Sequence, residues 1–101
     1  MKKHLLVLAL MLLPLYALAD AVEIDGIYYN LIEKGKVAEV TSNPNKYTGD
    51  IVIPEKVTYN DVEYSVGAIG NSAFIGCSGL TSITIPNSVT NIDESAFSGC
   101  I

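Results

Sequence analysis

A 23-residue period runs through the C-terminal half of the chain and leaves few architectures open. Residues 69–78 read IGNSAFIGCS and residues 92–101 read IDESAFSGCI. The identical pairs are Ile69/Ile92, Ser72/Ser95, Ala73/Ala96, Phe74/Phe97, Gly76/Gly99 and Cys77/Cys100, each offset by 23. A second match lies upstream, where TGDIVIPEKVT (48–58) aligns with LTSITIPNSVT (80–90). It agrees at Ile51/Ile83, Ile53/Ile85, Pro54/Pro86, Val57/Val89 and Thr58/Thr90, with an offset of 32. The nine extra residues fall between Thr58 and Ile69, so one unit carries a local insertion, placed at 59–68. A unit this short cannot close a hydrophobic core alone. It has to stack on its neighbours, one solenoid turn per unit.

The unit has its own internal logic. Ile83 and Ile85 alternate with Thr84, which is strand periodicity. Pro86 lacks an N–H donor and ends that strand. Asn87-Ser88 turns the chain, Val89 and Ile92 point back inward, and Ser95-Ala96-Phe97 is expected to form one helical or 3₁₀ turn released by Gly99. Stacked strands lie about 4.8 Å apart, so Phe74 is expected over Phe97 and Ile51 over Ile83. The predicted repeat core is Ile51, Ile53, Ile69, Phe74, Cys77, Leu80, Ile83, Ile85, Val89, Ile92, Phe97 and Cys100.

IGNSAFIGCSGLTSITIPNSVTNIDESAFSGC closely resembles the BspA-like leucine-rich repeat of bacterial surface proteins. The signature L-x-x-I-x-I-P-x-x-V-x-x-I, followed by x-x-x-A-F-x-x-C, stands here as Leu80, Ile83, Ile85, Pro86, Val89, Ile92, Ala96, Phe97 and Cys100. The resemblance implies a mainly β fold: a short leucine-rich-repeat solenoid over 48–101 with an N-terminal β-hairpin cap over 20–47. Such proteins usually carry many repeats, so the fold is expected to be incomplete at its C-terminus. The resemblance also implies adhesion or ligand binding rather than catalysis. It places the partner-binding face on the solvent side of the repeat strands, at Asp50, Val52, Thr81, Ser82 and Thr84.

Residues 1–19, MKKHLLVLALMLLPLYALA, carry Lys2-Lys3, an apolar run from Leu5 to Leu13, and the small-residue site Ala17-Leu18-Ala19. This is the layout of a secretory signal peptide, with cleavage expected between Ala19 and Asp20. The apolar stretch is shorter than the roughly 20 residues a membrane span needs. Downstream, GIYYNLIEKGKVAEVTS (26–42) alternates around the charged turn Glu33-Lys34-Gly35-Lys36 and predicts a hairpin. That hairpin is expected to cover the exposed edge of the first repeat strand. A second hairpin is predicted within the insertion, with Asn60-Asp61 as its turn and Tyr59 and Tyr64 pairing across it.

Composition excludes several chemistries. The 82 residues after Ala19 carry four Lys and eleven Asp or Glu, a net charge of −7, with no Arg, Trp or His. Nucleic-acid binding needs clustered cations and is not expected. Without His, the Ser-His-Asp, Cys-His and His-metal arrangements are unavailable. The carboxylates lack the spacing of a calcium loop. No catalytic residue, metal ligand or cofactor motif is legible. Cys77 and Cys100 form an even pair in a chain expected to be exported, so two readings stand: two buried thiols packing as small hydrophobes, or a disulfide between adjacent coils.

The resulting expectation is an exported, non-enzymatic repeat protein, secreted or at the cell surface, with a host or cell-surface protein or glycan as partner. It has no membrane span after cleavage. The alternative is a truncated structural fragment of a longer repeat protein with no activity of its own. In either case the outer edge of the last strand, near the C-terminus, is expected to favour self-association.

Overall fold

The computed structural model describes residues 20–100. The expected leader at 1–19, with Ala19 of the expected cleavage pair, and Ile101 lie outside the described residues; Asp20 is exposed. Eight strands form: β1 (Val22–Ile24), β2 (Ile27–Ile32), β3 (Val37–Thr41), β4 (Gly49–Val52), β5 (Lys56–Tyr59), β6 (Val62–Ile69), β7 (Leu80–Thr84) and β8 (Asn91–Ile92). One sheet runs β1-β2-β3-β6-β5, with β8 also paired to β6. A second sheet pairs β4 with β7.

The parallel pairings are the stacking of solenoid coils. β4 and β7 form one column, with Ile51 opposite Ile83 and Val52 opposite Thr84. β3, β6 and β8 form another, with Val40 opposite Ile69 and Ile69 opposite Ile92. The connections carry the same ladder: Gly70 N–H bonds Val40 C=O at 2.8 Å, and Asp93 N–H bonds Ile69 C=O at 3.0 Å. Along β4 and the residue after it, inward Ile51 and Ile53 alternate with outward Asp50 and Val52, so one face meets the core and the other meets water.

Between the columns the chain turns without forming a helix. The turn at Ser95–Phe97 is a run of separate i→i+3 bonds, from Ala96 N–H to Asp93 C=O, Ser98 N–H to Ser95 C=O, and Cys100 N–H to Phe97 C=O. The preceding coil repeats it 23 residues earlier, with Ala73 to Gly70, Ile75 to Ser72 and Cys77 to Phe74. Each run ends at a glycine in the left-handed region, Gly76 at φ 66° and Gly99 at φ 73°. Those conformations stop helical propagation. Gly99 also lies over Gly76, where an added Cβ would stand 3.6 Å from the Gly76 nitrogen.

The N-terminal segment departs from the sequence reading in two ways. β1 adds a third strand to the expected hairpin, pairing Val22 with Tyr29 and Ile24 with Ile27. The hairpin does not cover the edge of β4. Its second strand, β3, lies parallel to β6 instead, so it extends the β6–β8 column. The reason lies in Tyr47, which follows β3 and packs on Phe74 with ring centroids 4.6 Å apart. Its hydroxyl donates to Thr41 C=O at 2.7 Å and accepts from Tyr28 N–H at 3.0 Å. Residues 37–52 are therefore a degenerate first coil, with Val40 in the place of Ile69 and Tyr47 in the place of Phe74.

β5 and β6 form an antiparallel hairpin through Asn60 and Asp61, both at positive φ (51° and 65°). This is the geometry of a type I′ turn. The two-residue turn sets Tyr59 opposite Val62 and Tyr64 opposite Val57. The expected Tyr59–Tyr64 cross-strand pair does not form, and Tyr64 is buried while Tyr59 is partly exposed.

The core contains Tyr29, Val40, Tyr47, Ile53, Val66, Ile69, Phe74 and Cys77, all essentially inaccessible. Ile51, Leu80, Ile83, Ile85, Val89, Phe97 and Cys100 are half-buried against it. Ile92 is a correction to the predicted core. It is 50% exposed, because β8 is the outermost strand of its column among the described residues.

Candidate functional site: the β4–β7 face

The structure brings Asp50, Val52, Thr81, Ser82 and Thr84 onto one solvent-exposed face of the β4–β7 pair. Their grouping is more specific than alternation alone. Pairing jumps from Gly49–Leu80 to Asp50–Ser82, so Thr81 is an extra residue without a partner on β4. Such a bulge re-aims side chains. Here it points two hydroxyls at one carboxylate: Thr81 Oγ1 donates to Asp50 Oδ1 at 2.5 Å and Ser82 Oγ donates to the same oxygen at 2.9 Å. The hydrogen bonds from Thr81 and then Ser82 hold the Asp50 carboxyl below the ordinary carboxylate range. Asp50 thus carries a negative charge on the exposed face, with Val52 beside it at 65% exposed.

The face is electrostatically simple and offers a hydrogen-bond acceptor beside two hydroxyls and one apolar side chain. Among the described residues, no group of three or more His, Cys, Asp or Glu is placed to hold a metal ion. Among the described residues, no helix long and apolar enough to cross a membrane is present. Both thiols are free, so the reading with two unbonded cysteines is the one the structure holds. Cys77 is buried, and the half-buried Cys100 thiol donates to Phe74 C=O at 2.7 Å.

Two features escaped the sequence reading. The bulge at Thr81 leaves no mark in a pattern that alternates on both sides of it. Tyr29 lies fully buried at an inward position of β2, yet its hydroxyl has no hydrogen-bond partner among the described residues. The alternation Ile27-Tyr29-Leu31 signals the inward side chain but not its missing partner.

The comparisons with known proteins agree with the stacked coils. A family model described as BspA type leucine-rich repeat region (6 copies) matches residues 48–101. A leucine-rich repeat protein from Bacteroides ovatus ATCC 8483 is 39% identical, with a TM-score of 0.69 over 78% of this chain and 21% of its own. A leucine-rich cell surface protein from Faecalibacterium prausnitzii A2-165 is 31% identical, with a TM-score of 0.67 over 79% of this chain and 21% of its own. A leucine-rich repeat protein from Bacteroides capillosus ATCC 29799 is 29% identical, with a TM-score of 0.68 over 79% of this chain and 59% of its own. No curated protein matches the chain. The fold is that of a β-rich leucine-rich-repeat solenoid. The chain belongs to the BspA-type leucine-rich repeat family, and it spans about a fifth of the length of the first two solved relatives.

Proposed function

We propose that the chain is an exported, non-enzymatic repeat protein whose β4–β7 face serves adhesion or ligand binding at a bacterial cell surface. The observation that carries this reading is the Asp50–Thr81–Ser82 cluster. It is an ionised carboxylate oriented by two hydroxyls on an exposed strand face. Preorganised polar groups of this kind lose little entropy on binding. The cell-surface description of the Faecalibacterium relative and the leader-like residues 1–19 support export. The partner is a host or cell-surface protein or glycan whose donors meet Asp50. The acidic balance disfavours nucleic acid.

Two measurements test this. Intact mass of the protein recovered outside the cytoplasm is expected to give a chain beginning at Asp20; recovery of the whole chain in the cytoplasm defeats the export part. Beads coated with the protein are expected to adhere to epithelial or bacterial cells. Asp50→Lys, at an exposed position, is expected to reduce adhesion at least tenfold without unfolding the protein. Equal adhesion by wild type and D50K removes this face from the function.

A further inference from the structure

A shallow cleft opens on the other column of strands, on the outward face of β3, β6 and β8. Its volume is about 370 Å³, within the range of about 300–1,000 Å³ typical of binding clefts. It shares no residue with the β4–β7 face. Strand register builds it. Glu39 lies opposite Ala68, and Ala68 opposite Asn91, so the three form one row across the column. Glu39 stands between buried Ala38 and Val40 and therefore points outward. The floor is low because Ala68 is small and Gly70, just beyond buried Ile69, has no side chain. Glu39 leans into the space that Gly70 leaves. A Cβ built on Gly70 would stand 2.9 Å from the Glu39 carboxyl carbon. A carboxylate that starts on β3 is thereby carried over to the end of β6. Asp93 follows β8 on the far side, its N–H bonded to Ile69 C=O.

The walls are thus two carboxylates, Glu39 and Asp93, and two amides, Asn71 and Asn91, all at least partly exposed. Their polar atoms are only half used. Glu39 Oε1 accepts from Asn30 Nδ2 at 3.3 Å, Asp93 Oδ1 accepts from Ser95 N–H at 2.9 Å, and Asn71 Oδ1 accepts from the Ser72 hydroxyl at 3.2 Å. The second oxygen of each carboxylate makes no hydrogen bond among the described residues. No residue of the lining is cationic. The one ion pair among the described residues is Lys56 with Glu63, so neither carboxylate meets a counter-charge there.

We propose that this cleft docks an arginine side chain from a basic segment of a partner protein, with the guanidinium between Glu39 and Asp93. Charge complementarity carries the assignment. Two carboxylates that share a cleft repel each other, and a cation placed between them turns that repulsion into attraction. A guanidinium keeps its charge at all working pH values and presents five N–H donors in one plane, so it can serve acceptors on separate strands at once. Its weak hydration suits a cleft whose floor is Ala68 and whose margin is the half-exposed Ile92. An ammonium is a strongly hydrated point charge and matches this lining less well. Exposed ion pairs are individually weak, so the cleft contributes most to a ligand that makes further contacts around it, as a protein does. This site is separate from the Asp50 face and does not depend on it.

The test is an amide-resolved NMR titration of the purified protein with the peptide acetyl-Gly-Arg-Gly-Arg-Gly-amide, compared with its lysine counterpart, free argininamide and calcium chloride. Saturable shifts centred on Glu39, Gly70, Asn91 and Asp93 are expected with the arginine peptide, and weaker binding of the other three. Glu39→Gln and Asp93→Asn keep the acceptors that Asn30 and Ser95 use, and each is expected to weaken binding about five- to tenfold. Gly70→Ala keeps both charges but displaces the Glu39 carboxylate, and is expected to weaken binding to a similar extent. Glu94→Gln removes a neighbouring carboxylate outside the cleft, and Asp50→Asn removes one on the β4–β7 face; both are expected to leave binding unchanged. Should Gly70→Ala fold poorly, Glu39→Gln and Asp93→Asn set against Glu94→Gln decide alone. The proposal is overturned by an absence of saturable shifts in wild type, or by equal losses in Glu94→Gln and Glu39→Gln, which would reduce the effect to net charge. Equally tight binding of the lysine peptide overturns the choice of guanidinium. The same shifts with calcium chloride would make the cleft a metal site, and argininamide binding as tightly as the peptide would make its ligand a small molecule; either result overturns the proposal.

Discussion

The rings of Phe74 and Phe97 lie face to face, 5.1 Å between centroids and 9° between planes, one coil above the other. Tyr47 continues the stack on the far side of Phe74 at 4.6 Å and 34°. Phe74 is thus sandwiched between two aromatic rings and wholly buried, whereas Phe97 has a ring on one side and remains half-buried.

Unequal burial predicts unequal costs. Truncating a buried Phe to Ala costs about 3–5 kcal/mol, a large share of the roughly 5–15 kcal/mol that holds a domain together. Phe74→Ala is expected to leave most of the protein unfolded, and Phe97→Ala to shift the urea midpoint by clearly less. Equal, small shifts for the two variants would contradict the stacked register.

The Tyr47 hydroxyl closes the first coil, and its loss should be measurable. Tyr47→Phe keeps the ring but strands Tyr28 N–H and Thr41 C=O, at a cost of about 1–3 kcal/mol. Tyr28→Phe leaves the Tyr28 backbone bond in place and serves as the control. A Tyr47→Phe protein as stable as wild type in urea argues against the degenerate first coil.

Stability is expected to respond to pH at both extremes. At the alkaline end, burial raises Tyr29 and Tyr47 from 10.0 to about 12. The folded state then holds protons that the unfolded state has lost, so the contribution of these two groups is present below pH 10 and disappears between about pH 10 and 12. Phenolate absorbance should show two tyrosines titrating late, with unfolding in the same window. At the acid end, Asp50 sits below its ordinary 3.8, held by Thr81 and Ser82. Its contribution is present above that value and is lost as pH falls beneath it. A carboxyl titration of Asp50 by NMR with a midpoint at or above those of the other exposed carboxylates defeats this assignment.

The β5–β6 turn offers a gain. Asp61 holds φ at 65° without being glycine, and Asn-Gly is the preferred type I′ pair. Asp61→Gly is expected to stabilise by about 0.5–1 kcal/mol, and Asp61→Val to destabilise by more. Thermal melts showing the reverse order would rule out the type I′ geometry.

What the sequence could reveal follows from how the physics is written into it. Ile51/Ile83 and Phe74/Phe97 were visible because repeated coils demand the same residue at the same depth, and identity survives in the text. Tyr47 fills the same position with a different residue, and only one residue separates it from Gly49, against five between Phe74 and Leu80. No offset search aligns the two. β1 is three residues long, too short to show a period. The Thr81 bulge and the orphaned Tyr29 hydroxyl depend on what lies across a gap in space. Local pattern has no record of either.

β6 has an unusual number of neighbours. It carries β3 along one edge, and β5 and β8 share the other. In an ordinary solenoid each turn touches only the next, so turns can be duplicated or deleted between neighbours with little disturbance elsewhere. Here β6, in the turn after the degenerate first coil, is held by three strands, and its eight residues cannot be exchanged for those of a later turn without freeing the N-terminal sheet. Recombination among repeats is therefore tolerated after residue 80 and barred before it. Related chains should vary in the number of their later turns while inheriting the opening segment as one indivisible piece.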